Sequence, residues 1–246
     1  MTDLPDWLPP LVERINGSTT ADFTRYGPPE TGGRRSAVLI LLGPAEGPTP
    51  DSGTVLSPTE AARAGAVSPR ARALSSAAAA LPSRAPGADV LLLERAATLR
   101  NHAGQPAFPG GAADEGETDP AVTALREAQE EVGLDPASVE VLTHLPDLWI
   151  PVSDYIVTPV LAWWHAPHPV GPVDAGEVAR VVRVPIDDLV DPAHRVRVRH
   201  SSGYVSPAFE VAGMQVWGFT ANVLSVLLDI AQWSVPWDQD RIAELR

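Results

Sequence analysis

Glu127, Glu130 and Glu131 stand three and four residues apart in one short stretch. On a helix, residues at those spacings share a face, so three carboxylates crowd one patch of surface and repel each other. An acidic stretch is ordinarily just a solvated face. Its surroundings give it a chemical reading. Upstream lies Phe108-Pro109-Gly110-Gly111, in which the proline ends any preceding strand and the glycines permit bends that turn a carbonyl toward a cation. Glu117 follows, and Gly133 sits where a left-handed helix cap belongs. Glycine loop, acid, helix and cap form a loop–helix–loop unit suited to Mg2+ or Mn2+ bound through oxygen. Arg126, next to Glu127, is placed to orient one of the carboxylates.

Composition narrows the chemistry further. Cysteine is absent, which excludes disulfides, thiolate ligands and thiol catalysis and leaves oxygen or imidazole to hold any metal. Lysine is absent too, so Schiff-base and P-loop lysines are excluded and arginine alone meets phosphate. A formal charge of −13 opposes binding to a nucleic-acid backbone, and the one dense basic run is Arg195, Arg197, Arg199. No nucleic-acid partner is expected. The N-terminus has no basic stretch ahead of an apolar one, and no apolar run reaches about twenty residues. These features suggest a cytoplasmic protein with no membrane partner.

The elements that must position the acids are legible from periodicity. Trp7, Leu8, Leu11, Val12 and Ile15 have helical spacing, so a short helix is expected over 6–16. Residues 36–42 and 88–93 read as buried strands, separated by a Pro-, Ala-, Gly- and Ser-rich insertion at about 43–86 with room for a helix at 70–81. The catalytic-looking helix spans 119–131. With about 100° per residue, Ala121, Val122, Ala128 and Val132 cluster around Leu125 as its packing face. Strands are expected at 139–142, 156–163 and 178–184, and a short helix or turn at 187–189. Residues 195–200 alternate as an exposed strand would, and 204–209 and 214–217 can pair with it. Thr220 is expected to cap a terminal helix. The mixture implies an α+β or layered α/β/α domain: a helical extension over 1–34, one domain over 35–232 carrying the insertion, and a tail over 233–246.

The sequence from Gly111 to Leu134 resembles the Nudix box, G-x5-E-x7-R-E-U-x-E-E-x-G-U with U aliphatic. Gly111, Glu117, Arg126-Glu127-Ala128, Glu130-Glu131 and Gly133-Leu134 match it. One departure stands out: eight residues separate Glu117 from Arg126, where the box has seven. That longer gap is similar to the coenzyme A pyrophosphatase branch, whose upstream signature runs L-L-T-x-R-[SA]-x3-R-x3-G-x3-F-P-G-G. Here Leu91-Leu92-Leu93, Arg95, Ala96, Arg100, Gly104 and Phe108-Pro109-Gly110-Gly111 follow that spacing, with Leu93 in place of threonine. Residues 157–160, Glu177, Val184-Pro185 and 217–221 also look like that branch.

The resemblance implies a Nudix-type α/β/α sandwich with a mixed central sheet, and water attack on a diphosphate assisted by Mg2+ or Mn2+. It implies Glu127 and Glu131 as principal metal ligands, and Glu130 as a third ligand or the general base. Glu117 and the Gly111 carbonyl support the metal, and Arg126 orients the carboxylates. A loop residue such as Glu177 is an alternative base. Arg95 and Arg100 are expected to clamp phosphate, with Gly104 and Phe108 beside them in the substrate-binding segment. His102 is read as structural. The substrate implied is coenzyme A or an acyl derivative, giving 3′,5′-ADP and the 4′-phosphopantetheine. The alternatives are ADP-ribose or a dinucleotide as substrate, and a silent nucleotide-sensing module. The assembly expected is a monomer or homodimer.

Overall fold

A computed structural model describes residues 4–29, 32–45, 87–99, 102–200 and 203–245. The first helices are α1 (Leu8–Asn16) and α2 (Thr20–Phe23). Strands follow at β1 (Arg34–Pro44), β2 (Ala88–Arg95), β3 (Pro106–Ala107) and β4 (Gly110–Ala112). Helix α3 (Pro120–Val132) leads into β5 (Val139–His144), β6 (Leu148–Ile150), β7 (Tyr155–Trp164) and β8 (Val178–Pro185). The remainder is α4 (Ile186–Val190), β9 (Arg195–Arg199), β10 (Val205–Val211), β11 (Met214–Val216), α5 (Gly218–Ile230) and β12 (Ile242–Glu244).

Among the described residues, eight strands form a sheet along the path β3-β2-β1-β7-β5, with β4, β6 and β8 paired to β1, β7 and β2. The sheet is mixed: β1 runs parallel to β7 and antiparallel to β2 and β4. Period-two alternation sends its side chains into two cores. Leu39, Leu41, Leu91 and Leu93 face α3, packing with Ala124, Ala128 and Val132. Ile40, Leu42, Val90 and Leu92 face α1 and α5, packing with Leu11, Ile15, Val223 and Leu227. Helices on both faces make the expected α/β/α sandwich. The N-terminal helix is part of that core: Trp7 meets Trp163 and Trp233 edge-on at 5.7 and 5.4 Å, and Arg14 donates to the Ala231 carbonyl at 3.0 Å.

The insertion emerges from the hairpin of β1 and β2. Gly43 pairs with Asp89, Pro44 with Ala88, and Ala45 N–H donates to the Gly87 carbonyl at 3.0 Å. Its base is therefore at the opposite end of β2 from Arg95. The helix expected at 70–81 falls outside the described residues.

Three expectations are corrected. The buried stripe of α3 runs through Ala124, Ala128, Glu131 and Val132, while Val122 is 52 % exposed. The helix is thus rotated from a Leu125-centred face, because the sheet needs small residues at close approach and draws Ala124 and Ala128 inward. Strand β9 is not exposed at its start: Arg195 is 2 % accessible, held between the Phe209 and Trp237 rings at 4.7 and 4.8 Å. Burial lowers its pKa from the usual arginine value. Alternation along β9 marked two faces, and a second layer, the tail carrying Trp237, covers one of them. Thr220 does not cap α5; Trp217 holds that position, and Thr220 Oγ1 donates to the Pro106 carbonyl at 3.1 Å.

Strand β4 crosses β1 where Gly110 pairs with Val38, at φ +156°. A Cβ there would lie 2.3 Å from the Ala37 carbonyl oxygen and 2.6 Å from the Val38 Cα, both rigid backbone. Gly110→Ala is expected to lower stability by about 3 kcal/mol or to prevent folding, measured by urea denaturation.

Candidate active site

Helix α3 begins with Asp119 as N-cap, its carboxylate accepting from Ala121 N–H at 2.9 Å, and Pro120 at the first position, where no amide is needed. It ends at Gly133 with φ +71°, the left-handed cap expected from sequence. Between these stops, Arg126 gathers oxygens. Its Nε donates to Glu117 Oε1 at 2.9 Å, Nη2 to Glu117 Oε2 at 3.2 Å and to the Ala112 carbonyl at 3.0 Å. Its Nη1 reaches Glu127 at 3.0 Å and Glu130 at 3.2 Å. One guanidinium thus joins the glycine loop to three of the four acids.

The eight-residue gap is accommodated ahead of the helix. Glu117 Oε2 accepts from Asp114 N–H at 3.0 Å and from Thr123 Oγ1 at 2.7 Å, so the loop folds back onto the first turn and still delivers Glu117 to Arg126. The Arg126 hydrogen bond, with those two, holds the Glu117 carboxyl down at about 2. Glu117 in turn raises Arg126 above its usual value. Both stay charged throughout the working range.

Glu131 occupies a different environment. It is 8 % exposed, accepts from Gly110 N–H at 3.0 Å, and lies 3.7 Å from Arg95 Nη1. Burial pushes its carboxyl up to about 7, against the Gly110 amide and Arg95, with Glu127 and Glu177 adding repulsion. Glu127 is raised as well, burial outweighing its Arg126 hydrogen bond. Its carboxylate lies on the bare backbone of Gly111, where a Cβ would come within 2.4 Å of it. Glu130 is the outermost, with a side chain 60 % exposed.

Glu177 reaches this group because the preceding loop is fastened to α3. Gly171 and Val173 N–H donate to the Val132 and Glu131 carbonyls, and the Glu177 carbonyl accepts from Ala96 N–H at 2.8 Å. The upstream signature forms a closed loop after β2: Gly104 N–H donates to the Arg95 carbonyl at 3.0 Å, and Arg95 N–H to the Gln105 carbonyl at 3.1 Å. Gly104 has φ +68° and serves as that turn. The Phe108 side chain is buried in the core on the α1/α5 side, so what it brings to the site is backbone position. His102 bonds the Gln105 side chain at 2.8 Å. Arg100 lies outside the described residues. The Gly110 amide, the Ala112 carbonyl and Thr123 are contributors that sequence did not single out; the first two are backbone groups, which leave no residue-type signal.

Sequence comparison bears on the same segment. The family model described as a NUDIX domain matches residues 73–204, over half of the chain. The chain belongs to the Nudix family. An uncharacterized Nudix hydrolase, NudL, of Pectobacterium atrosepticum is 48 % identical over 103 residues, 42 % of this chain and 53 % of that protein. This chain thus spans about half the length of that relative. The NudL of Cronobacter sakazakii is 38 % identical over 157 residues, 58 % of this chain and 76 % of that protein. The crystal structure of a Nudix hydrolase from M. smegmatis, RenU, aligns over 85 % of this chain and 92 % of its own, at 19 % identity and a TM-score of 0.44.

The raised Glu131 carboxyl has a consequence for stability. In the unfolded chain the group titrates near 4.5, and in the folded protein near 7. Between those values the folded state keeps a proton that the unfolded state has released, so stability falls as pH rises from about 4.5 to 7. The loss is on the order of 3 kcal/mol. Urea denaturation of metal-stripped protein across that range should show it, and Glu131→Gln should flatten the slope. A second expectation concerns Arg126→Lys, which keeps the charge but cannot fork between Glu117, Ala112, Glu127 and Glu130; turnover should drop about 10- to 100-fold with the fold intact by circular dichroism.

Proposed function

We propose that this Nudix enzyme hydrolyses coenzyme A or its acyl derivatives to 3′,5′-ADP and the corresponding 4′-phosphopantetheine. The observation that carries the reading is the position of Arg95. It is the first arginine of the upstream signature, and its guanidinium lies 3.7 Å from the buried Glu131 of the box. The segment that resembles the coenzyme A branch and the carboxylates that resemble the general Nudix site thus meet at one point.

Nudix hydrolases generally work with a divalent metal such as Mg2+ or Mn2+. Among the described residues no three Asp, Glu or His side chains are gathered as a ready cation cluster; the Arg126 guanidinium is the positive charge between Glu117, Glu127 and Glu130. The donors nevertheless suit a hard cation. They are carboxylate and carbonyl oxygens, Gly111 lacks the Cβ that would crowd Glu127, and Glu131 is a buried carboxyl repelled by Glu127 and Glu177. Glu127 and Glu131 are the proposed principal ligands, with Glu130, Glu117 and the Gly111 carbonyl as further candidates. When bound, the metal would neutralise the diphosphate oxyanions and make water a better nucleophile.

The chain's own residues do the remainder. Arg95 is the proposed holder of a phosphate oxygen through its forked guanidinium donors, and Arg100 is its proposed partner. Glu130, exposed and beside the buried acids, is the proposed proton acceptor, with Glu177 as the alternative. Water adds its oxygen to one phosphorus, the bridging P–O bond breaks, and the proton of the water passes to the base.

Phosphate release coupled to alkaline phosphatase, over a panel of diphosphates, tests the activity, with product chromatography for coenzyme A. Activity should require Mg2+ or Mn2+, and Glu131→Gln should lower turnover by about two orders of magnitude or more. Near-normal turnover in that variant would remove Glu131 from the metal site. Cleavage of ADP-ribose with coenzyme A left intact would replace the substrate assignment with the ADP-ribose reading.

A further inference from the structure

A cavity of about 420 Å3 opens beside the first turn of α3, with Arg35, Ser36, Glu117, Thr118, Thr123 and Thr158 in its wall. Glu117 belongs both to this wall and to the Arg126 hub, so the cavity adjoins the carboxylates. Its volume is in the range of small-molecule sites.

What it can bind follows from the hydroxyl protons of Thr158, Thr123 and Ser36, each of which is already committed. A hydroxyl has one proton to donate and two lone pairs. Thr158 Oγ1 donates to Asp147 Oδ1 at 2.6 Å, Thr123 Oγ1 to Glu117 Oε2 at 2.7 Å, and Ser36 Oγ to the Ile156 carbonyl at 3.4 Å. All three therefore face the cavity as acceptors. Glu117 and Asp119 add carboxylates, and the guanidinium of Arg35 is paired with Asp147 at 2.5 Å. The helix start offers no anion site either. Pro120 has no amide, Ala121 donates to the Asp119 carboxylate, and Val122 and Thr123 donate to the Asp119 carbonyl. Such a wall repels phosphate and favours an uncharged group with N–H or O–H to give.

We infer that this cavity seats the uncharged arm of the diphosphate substrate, an amide- or hydroxyl-bearing group that donates to the oxygens of Thr158, Thr123 and Ser36. The inference rests on the hydrolase reading. It leaves the anionic part of the substrate to Arg95, at the other end of the carboxylate cluster. Two known kinds of arm have this chemistry: the amide chain of coenzyme A and the terminal ribose of ADP-ribose.

Thr118 is exposed at the rim, so Thr118→Trp fills the mouth, with Thr118→Ser as control and thermal melting as the check on folding. For whichever diphosphate the wild type cleaves, Thr118→Trp should raise KM about tenfold or more, with the loss confined to KM, and Thr118→Ser should restore it. A KM within about twofold of wild type for every cleaved diphosphate overturns the inference. Saturation-transfer NMR with free pantetheine and with methyl riboside decides the arm without catalysis. Signal from pantetheine assigns the amide chain and signal from the riboside assigns the ribose, each lost in Thr118→Trp. Signal from neither, or signal that survives the tryptophan, overturns the assignment. A wild type that cleaves no diphosphate defeats the hydrolase reading instead, and the NMR result still decides the cavity.

Discussion

The mutual repulsion of the α3 carboxylates is the constraint around which this molecule is arranged. Four acids, Glu117, Glu127, Glu130 and Glu131, converge on one end of one sheet, and they are tolerated in two different ways. Arg126 neutralises the first three from a single guanidinium, while Glu131 is buried with the Gly110 amide and Arg95 as its partial compensation. The cost of burying Glu131 is visible in its carboxyl, raised to about 7. Glu131 is thus desolvated and confined by the fold itself. The glycine loop follows from the same constraint: Gly110 must pass against the backbone of β1 to present its amide, and Gly111 must leave room for Glu127.

Two charge environments result at the two ends of α3. Toward its C-terminal half, Arg95 lies 3.7 Å from the buried Glu131. Toward its first turn, the hydroxyls and carboxylates present acceptors.

Much of this was legible in the sequence because it depends on residue type. The β-branched and leucine runs became β1, β2, β7 and β8, the cap residues stopped α3 at both ends, and Glu117, Glu127 and Glu130 came together on the Arg126 guanidinium. What stayed hidden depends on third-dimension partners. Which face of α3 is buried was decided by the need for Ala124 and Ala128 against the sheet, beyond what the spacing of larger apolar residues conveys. Arg195 looked like one of several surface arginines, and it is the folding of Phe209 and Trp237 around it that takes it out of solvent. The same burial removes it from the single basic run that a nucleic acid would have met. Backbone donors such as Gly110 N–H carry no type signal at all.

Strand β1 gives the final consequence. It bonds to β2, β4 and β7, and so links the glycine loop, the strand carrying Arg95 and the far half of the sheet. Yet it ends at Pro44, well before residue 73, where the family match begins, and α5 starts at Gly218, after the match has finished at 204. The borders of sequence similarity are therefore not the borders of a folding unit. A fragment trimmed to the matched span would leave three strands without their shared neighbour and one sheet face without its covering helices.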